Sequence, residues 1–166
     1  MAPSCKKKLV RIVSGGQTGA DRAALDFAML HDIPYGGWCP KGGWAEDLSS
    51  PPGLLSSYPA MKETPETRPE QRTEWNVRDS SLTLILVQSP ELEKSKGTVL
   101  TKSIAAKLNR PCLVANMAAE DEVNTVRRWL DENIGEGILN IAGPRESESP
   151  GLYEQAKQFL GEVFST

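Results

Sequence analysis

Histidine is almost missing from this sequence: His31 is the only one. A Ser-His-Asp triad or a histidine metal cluster is hard to draw around a single imidazole, and His31 reads as a helix cap. Cysteine is scarce too. Cys5, Cys39 and Cys112 are odd in number and lack a C-x-x-C spacing, which argues against a disulfide framework and a zinc site and suits a reducing cytosol. No apolar run approaches the ~20 residues that span a bilayer. The stretch from Met1 to Lys8 has charge but no apolar h-region, so no signal peptide is expected and a cytoplasmic location is. A basic surplus is also lacking. The formal net charge is −3, so nucleic acid is not an expected partner, and any positive potential must be confined to a pocket.

What is present is the composition of an ordinary soluble domain, 39% apolar and 25% charged, long enough to bury a core unaided. Short β-rich runs alternate with helical patterns. Leu9 to Val13 predicts a strand that stops at Ser14-Gly15-Gly16. Ala20, Ala23, Ala24, Phe27 and Ala28 then recur at helical spacing, on a face small enough to lie close to a sheet. Ile33 to Trp38 predicts a short second strand. From Cys39 to about Arg68, proline and glycine break any periodicity. Such a long loop reads either as a functional lid or as packing against a neighbouring subunit.

Pro69 opens a helix to Ser80 or Ser81, with proline early, where its missing N–H matters least. Leu82-Thr83-Leu84-Ile85-Leu86-Val87 reads as a strand buried on both faces. A helix from Lys96 carries Ile104, Ala105 and Leu108, and Arg110-Pro111 ends it. Cys112 to Val114 is the next strand, and a helix near Glu120 to Asn133 presents Val123, Val126 and Leu130. Gly137 to Ala142 is the last strand. The final helix places Leu152, Ala156, Phe159, Leu160 and Val163 on one stripe. This alternation implies right-handed crossovers and a Rossmann-like three-layer α/β domain, its mostly parallel sheet covered by helices on both faces. With no internal repeat and no second core apparent, residues 1–166 read as one domain.

Ligands of such sheets sit beyond the carboxyl ends of the strands. Three strand-to-helix turns suit an anion. In Ser14-Gly15-Gly16-Gln17-Thr18-Gly19 the glycines let the backbone come close to a ligand, and the following helix adds free N–H groups and a partial positive charge. Thr18, Gln17 and Arg22 offer a hydroxyl, an amide and a guanidinium. The turn is neither a Walker loop nor a G-x-G-x-x-G fingerprint. In Ser95-Lys96-Gly97-Thr98, Gly97 exposes its amide while Thr98 can cap the helix. In Gly143-Pro144-Arg145-Glu146-Ser147, Arg145 either clamps an anion with paired hydrogen bonds or pairs with Glu146 or Glu148 on the surface. A fourth feature is the helix face formed by Arg72, Asn76 and Asp79, which points either at a ligand or at water. Trp38, Trp44 and Trp75 are candidates for stacking on a ring or for plain packing.

The stretch Val13 to Asp26, Arg72-Thr73 with Asn76-Val77, Lys96-Gly97-Thr98, and Asn140 to Ser147 resemble the molybdenum carrier family, a circularly permuted branch of the SLOG group of Rossmann-like proteins. The resemblance covers nearly the whole chain. It implies binding and storage of the molybdenum cofactor, a pterin with a phosphate tail, or of molybdate or phosphate, on the turns named above. It also implies a homo-oligomer, dimer or tetramer, with molybdoenzymes as clients. Protein metal ligands are not required, because the pterin's dithiolene holds the metal. Related SLOG proteins hydrolyse nucleotides using Gly-Gly-x-Gly-Thr-x-x-Glu. Neither loop here reproduces that motif: Thr101 stands where the glutamate would follow Gly97-Thr98. A nucleotide hydrolase with Asp21, Asp79 or Glu146 as acid or base, and a nucleotide-sensing module, are the alternatives to a carrier.

Overall fold

A computed structural model describes residues 9–165; Cys5 and the charged start of the chain lie outside them. Seven strands and six α-helices follow in order: β1 (Arg11–Val13), α1 (Ala20–Leu30), β2 (Tyr35–Gly36), β3 (Trp38–Cys39), α2 (Leu54–Ser57), β4 (Lys62–Glu63), α3 (Pro69–Arg78), β5 (Leu82–Val87), α4 (Lys96–Lys107), β6 (Cys112–Asn116), α5 (Glu122–Asn133), β7 (Ile138–Ala142) and α6 (Leu152–Val163). A 3₁₀ turn at Pro90–Lys94, with no counterpart in the sequence reading, joins β5 to α4.

The main sheet has the order β2-β1-β7-β5-β6, and every pair is parallel. The chain therefore has the Rossmann-like α/β fold. All six residues of β5 are buried, as suits an apolar run, broken only by Thr83, that is flanked by two strands. Leu82, Leu84 and Leu86 point into the main core with Ile12, Leu139 and Ile141. Against this face pack the alanine stripe of α1, Val126 and Leu130 of α5, and the Leu152, Ala156 and Leu160 stripe of α6. The alternate residues Thr83 and Ile85 face the opposite side, towards α3 and α4. The proline at the start of α3 and the helical stripes lie where the periodicity places them.

The segment between Trp38 and Arg68 departs from the expected loop. The predicted second strand is two, parted at Gly37, whose φ of +124° turns the chain out of the main sheet. A side chain there would also collide with the Ser14 backbone. Beyond it, β3 pairs with β4 in a separate parallel ribbon, and α2 lies between them in sequence. Leu54 and Met61 join Cys39, Ala45 and Leu25 in a second hydrophobic cluster, which corrects the expectation of no second core. Leu25 belongs to α1, so this cluster is a satellite seated on the main body. Two-residue strands and a single helical turn are too short to leave a period in a sequence window.

Candidate functional site

On the α3–α4 side of the sheet lies a cleft of about 650 Å³. Its walls are the turn after β1, the start of α4 and the turn after β7, closed by α3. Of the residues expected at a ligand, Gly15, Gln17, Arg72, Asn76, Lys96, Gly97, Thr98, Gly143, Pro144 and Arg145 line it. The three turns and the α3 face that the sequence singled out separately thus share one cavity.

Six others serve the architecture around it. Gly16 packs against Leu54 and Met61 of the satellite cluster. Gly19, at a φ of +82°, lets the first turn press on the backbone of the third, where a Cβ would collide with Pro144 O. Arg22 turns away from the cleft. It donates to Gly16 O at 3.0 Å and makes a two-pronged pair with Asp47, both bonds 2.8 Å. Thr18 donates to Glu46 and accepts from Glu146 N at 3.1 Å. The Glu146 carboxylate accepts from Gly151 N and Tyr153 N, at 2.6 and 3.0 Å, and so caps α6. Ser147 donates to Glu46 through both its hydroxyl and its N–H. These side chains are occupied by the protein itself.

Within the cleft the roles also sharpen. Asn76 spends its amide on Trp38, accepting from its N at 2.8 Å and donating to its O at 3.0 Å, so it fixes β3 and has little left to read a ligand. The residue that caps α4 is Ser95, not Thr98: Ser95 Oγ accepts from Thr98 N at 3.3 Å and donates to Thr98 Oγ1 at 2.9 Å. Nothing lies within 4 Å of a Cβ placed on Gly97, so this first turn of α4 is open. Arg145 lines the cleft while its Nε stands 3.7 Å from Glu148, a loose exposed pair that leaves the guanidinium available. Trp38 and Trp75 meet edge to face at 4.7 Å, with Arg78 over Trp75 and Asp79 accepting from Trp38 Nε1. Neither they nor Trp44 reach the cleft. Packing is their role there.

Arg72 is the most informative cation. It reaches from α3 to donate from Nη1 to Gly15 O at 3.0 Å, and this is its only hydrogen bond to the described residues. None of their carboxylates stands at ion-pairing distance from it. Burial lowers its pKa, and the nearby Arg145 works in the same direction against Asp21. A guanidinium so placed keeps unfilled donors facing a cavity.

Asp21, in the sequence a candidate acid or base in the first turn of α1, lies inside the cleft. It is only 6% exposed and lines the cleft beneath Gly15. Burial pushes its pKa up to about 6, against the opposing pull of Arg72, the Gln17 and Gly143 backbone donors and Arg22. It stands in the first turn, one residue before Arg22. Neighbouring residues on a helix point about 100° apart, so only one of the two could face the cleft. Gln17, 3% exposed, accepts from Thr18 N and Glu46 N, which fixes its Oε1 at 3.1 and 2.9 Å. Its Nε2 has no partner among the described residues.

The other candidate chemistry recedes. Cys39 and Cys112 have thiols pushed up to about 11 by burial. Among the described residues, no three His, Cys, Asp or Glu side chains gather as a metal site, and no helix is long and apolar enough to cross a membrane.

Comparison with known proteins adds two findings. Residues 12–164 match the circularly permutated YpsA SLOG family. A crystal structure described as a putative molybdenum carrier protein from Syntrophus aciditrophicus SB is 37% identical, with a TM-score of 0.84, over 95% of this chain and 96% of that one. No curated protein matches. With the parallel sheet, the glycine turn and the family match all spanning the same residues, the chain belongs to the circularly permutated YpsA SLOG family.

Proposed function

We propose that the cleft binds the phosphate of a molybdenum-cofactor-type pterin and that the protein stores and protects this ligand. The observation that carries the reading is Arg72. Partly buried on the cleft wall, this guanidinium has one hydrogen bond and no carboxylate at ion-pairing distance, and a bound phosphate would supply the missing acceptors and a closer opposite charge. Gln17 Nε2 is a second donor without a partner, Lys96 and Arg145 add positive charge, and the open first turn of α4 adds N–H groups. A volume of about 650 Å³ leaves room for a ring system beyond the phosphate. The relative's description as a molybdenum carrier supports the choice of pterin.

A second reading, hydrolysis of a nucleotide, is favoured by one feature only. Asp21 is a buried carboxyl on the cleft wall with a pKa of about 6, suited to proton transfer near neutrality. Native mass spectrometry against molybdenum cofactor, molybdate, AMP and NAD separates the two. A carrier retains intact cofactor and yields no product with time. A hydrolase releases free base and ribose phosphate from AMP. Unchanged cofactor retention in both Gly97→Asp and Arg145→Ala would refute the site.

The reading extends to a cytoplasmic homo-oligomer, dimer or tetramer, that serves molybdoenzymes. Exposed Val99 on α4 and Leu108 just beyond its end are consistent with contacts between copies. Light scattering of the purified chain tests the assembly.

A further inference from the structure

A carboxylate is an unexpected wall for a cleft that takes anions, and Asp21 stands beside the cation that would hold one. A Cβ placed on Gly15 would lie 2.7 Å from Arg72 Nη1 and 2.9 Å from Asp21 Oδ2, so the two groups flank the same point. Both line the cleft. An oxyanion seated between these two groups, on the remaining donors of Arg72, would bring an oxygen close to Asp21. Two bare anionic oxygens repel at that range, and burial strengthens the repulsion.

We propose that Asp21 makes the Arg72 end of the cleft selective for an oxyanion that can hold a proton near neutral pH, phosphate or a phosphate monoester, over sulfate and molybdate, which stay fully ionised. The inference rests on the anion-binding reading above and adds the discriminating residue. With phosphate, a P–O–H group donates to the Asp21 carboxylate while the remaining oxygens accept from Arg72 and Gln17 Nε2. Sulfate and molybdate carry no proton at neutral pH, so each meets Asp21 oxygen against oxygen. A phosphate monoester has its second pKa near 6, and Asp21 titrates at about 6. Ester and carboxyl therefore share one proton as a coupled pair, and binding takes a proton up from solvent at neutral pH.

The surroundings of Asp21 hold the arrangement in place. Arg72 faces it from α3, the charge of Arg22 acts on it from the next position of its own helix though that side chain is turned to Asp47, and the backbone N–H groups of Gln17 and Gly143 donate to it. Ser14 Oγ donates to the Asp21 carbonyl at 2.8 Å, which fixes the start of α1. Lys96, Arg145, Glu70 and Glu148 line the same cleft.

The test titrates the full chain with inorganic phosphate, sulfate and molybdate at about pH 7.5, followed by amide chemical shifts. Phosphate should bind roughly tenfold or more tighter than the other two. Asp21→Asn replaces a repelling oxygen by an amide donor, so the preference should collapse or reverse, with sulfate and molybdate gaining. In the unmodified chain, sulfate affinity should fall up to about tenfold per pH unit above 6 and level off below it, because only protonated Asp21 admits it. In Asp21→Asn that slope should vanish. Equal affinity for the three anions, or a slope that survives in Asp21→Asn, overturns the selectivity and leaves the anion cleft standing. Failure of every oxyanion to shift the Gly15, Gln17 and Gly97 amides overturns the anion-binding reading and this inference with it.

Discussion

The cleft carries a carboxyl group that the fold would be more stable without. The ordinary Asp pKa is 3.8, and burial raises that of Asp21 to about 6. A carboxyl raised in this way contributes stability that is fully present below 3.8 and is lost as the pH rises through 6. At neutral pH the protein therefore holds an ionised Asp21 at a cost. Asp21→Asn is expected to stabilise the chain by up to about 3 kcal/mol near pH 7.5, and most of the gain should disappear towards pH 4. Urea unfolding of both proteins at the two pH values measures it; a gain independent of pH would place its origin elsewhere. Such a trade of stability against binding is common at sites. Gly97 offers the complementary probe. A side chain there meets no atom within 4 Å, and an acid in the first turn of α4 suits the helix dipole. Gly97→Asp should thus fold normally, while phosphate affinity falls by about tenfold or more through direct repulsion. Gly16→Asp is a poorer probe, because Leu54 and Met61 occupy the space and its loss of binding would report a packing defect.

Among the elements, the segment between β3 and α3 changes most on passing from sequence to structure. It is no open loop but a brace, tied down at several points. Glu46 accepts from Thr18 in the first site turn and from Ser147 in the third. Asp47 holds Arg22, Asn76 holds Trp38, and Asp26 on α1 accepts from Tyr58 and from Tyr153 of α6. Two turns that face the ligand are therefore joined through one carboxylate that does not line the cleft itself. Glu46→Ala should cost only about 1 kcal/mol, as its bonds are partly open to water. Hydrogen exchange should nevertheless speed up in both 14–19 and 143–147, with a matching loss of phosphate affinity. Exchange confined to one turn would show that Glu46 does not couple them. This brace also marks the limit of what the sequence allows to be read. The stripes of α1 and α6 and the six-residue run of β5 repeat for long enough to declare themselves, and all are buried as expected. The glycine turns were legible because β1 and β7 run straight into them. Glu46 was not, since its partners lie 28 and 101 residues away and only the fold brings them together.

At the scale of the molecule, the question is whether the satellite cluster and the sheet unfold as one. Leu25 answers it structurally. It projects from α1, whose alanines form part of the main core, into the cluster of Cys39, Ala45, Leu54 and Met61. The satellite has only two-residue strands and a single helical turn to itself, which is too little to stand alone. Separation would also break the Asp47–Arg22 and Asn76–Trp38 contacts. Calorimetry should therefore show one transition, with equal calorimetric and van't Hoff enthalpies. Leu25→Ala, which removes a fully buried side chain from the junction, should lower that single transition by about 2–5 kcal/mol and not split it. A cleft ligand touches the turns of both β1 and β7 and the face of α3, so its binding energy is felt by the whole unit. At about a hundred times its dissociation constant, phosphate or the pterin should add about 2.7 kcal/mol, which for a chain of this size raises Tm by roughly 5–10 °C. A low-temperature transition that ignores the ligand would instead mark the 39–68 segment as an independent unit, and the brace would then stabilise the site turns without sharing their fate.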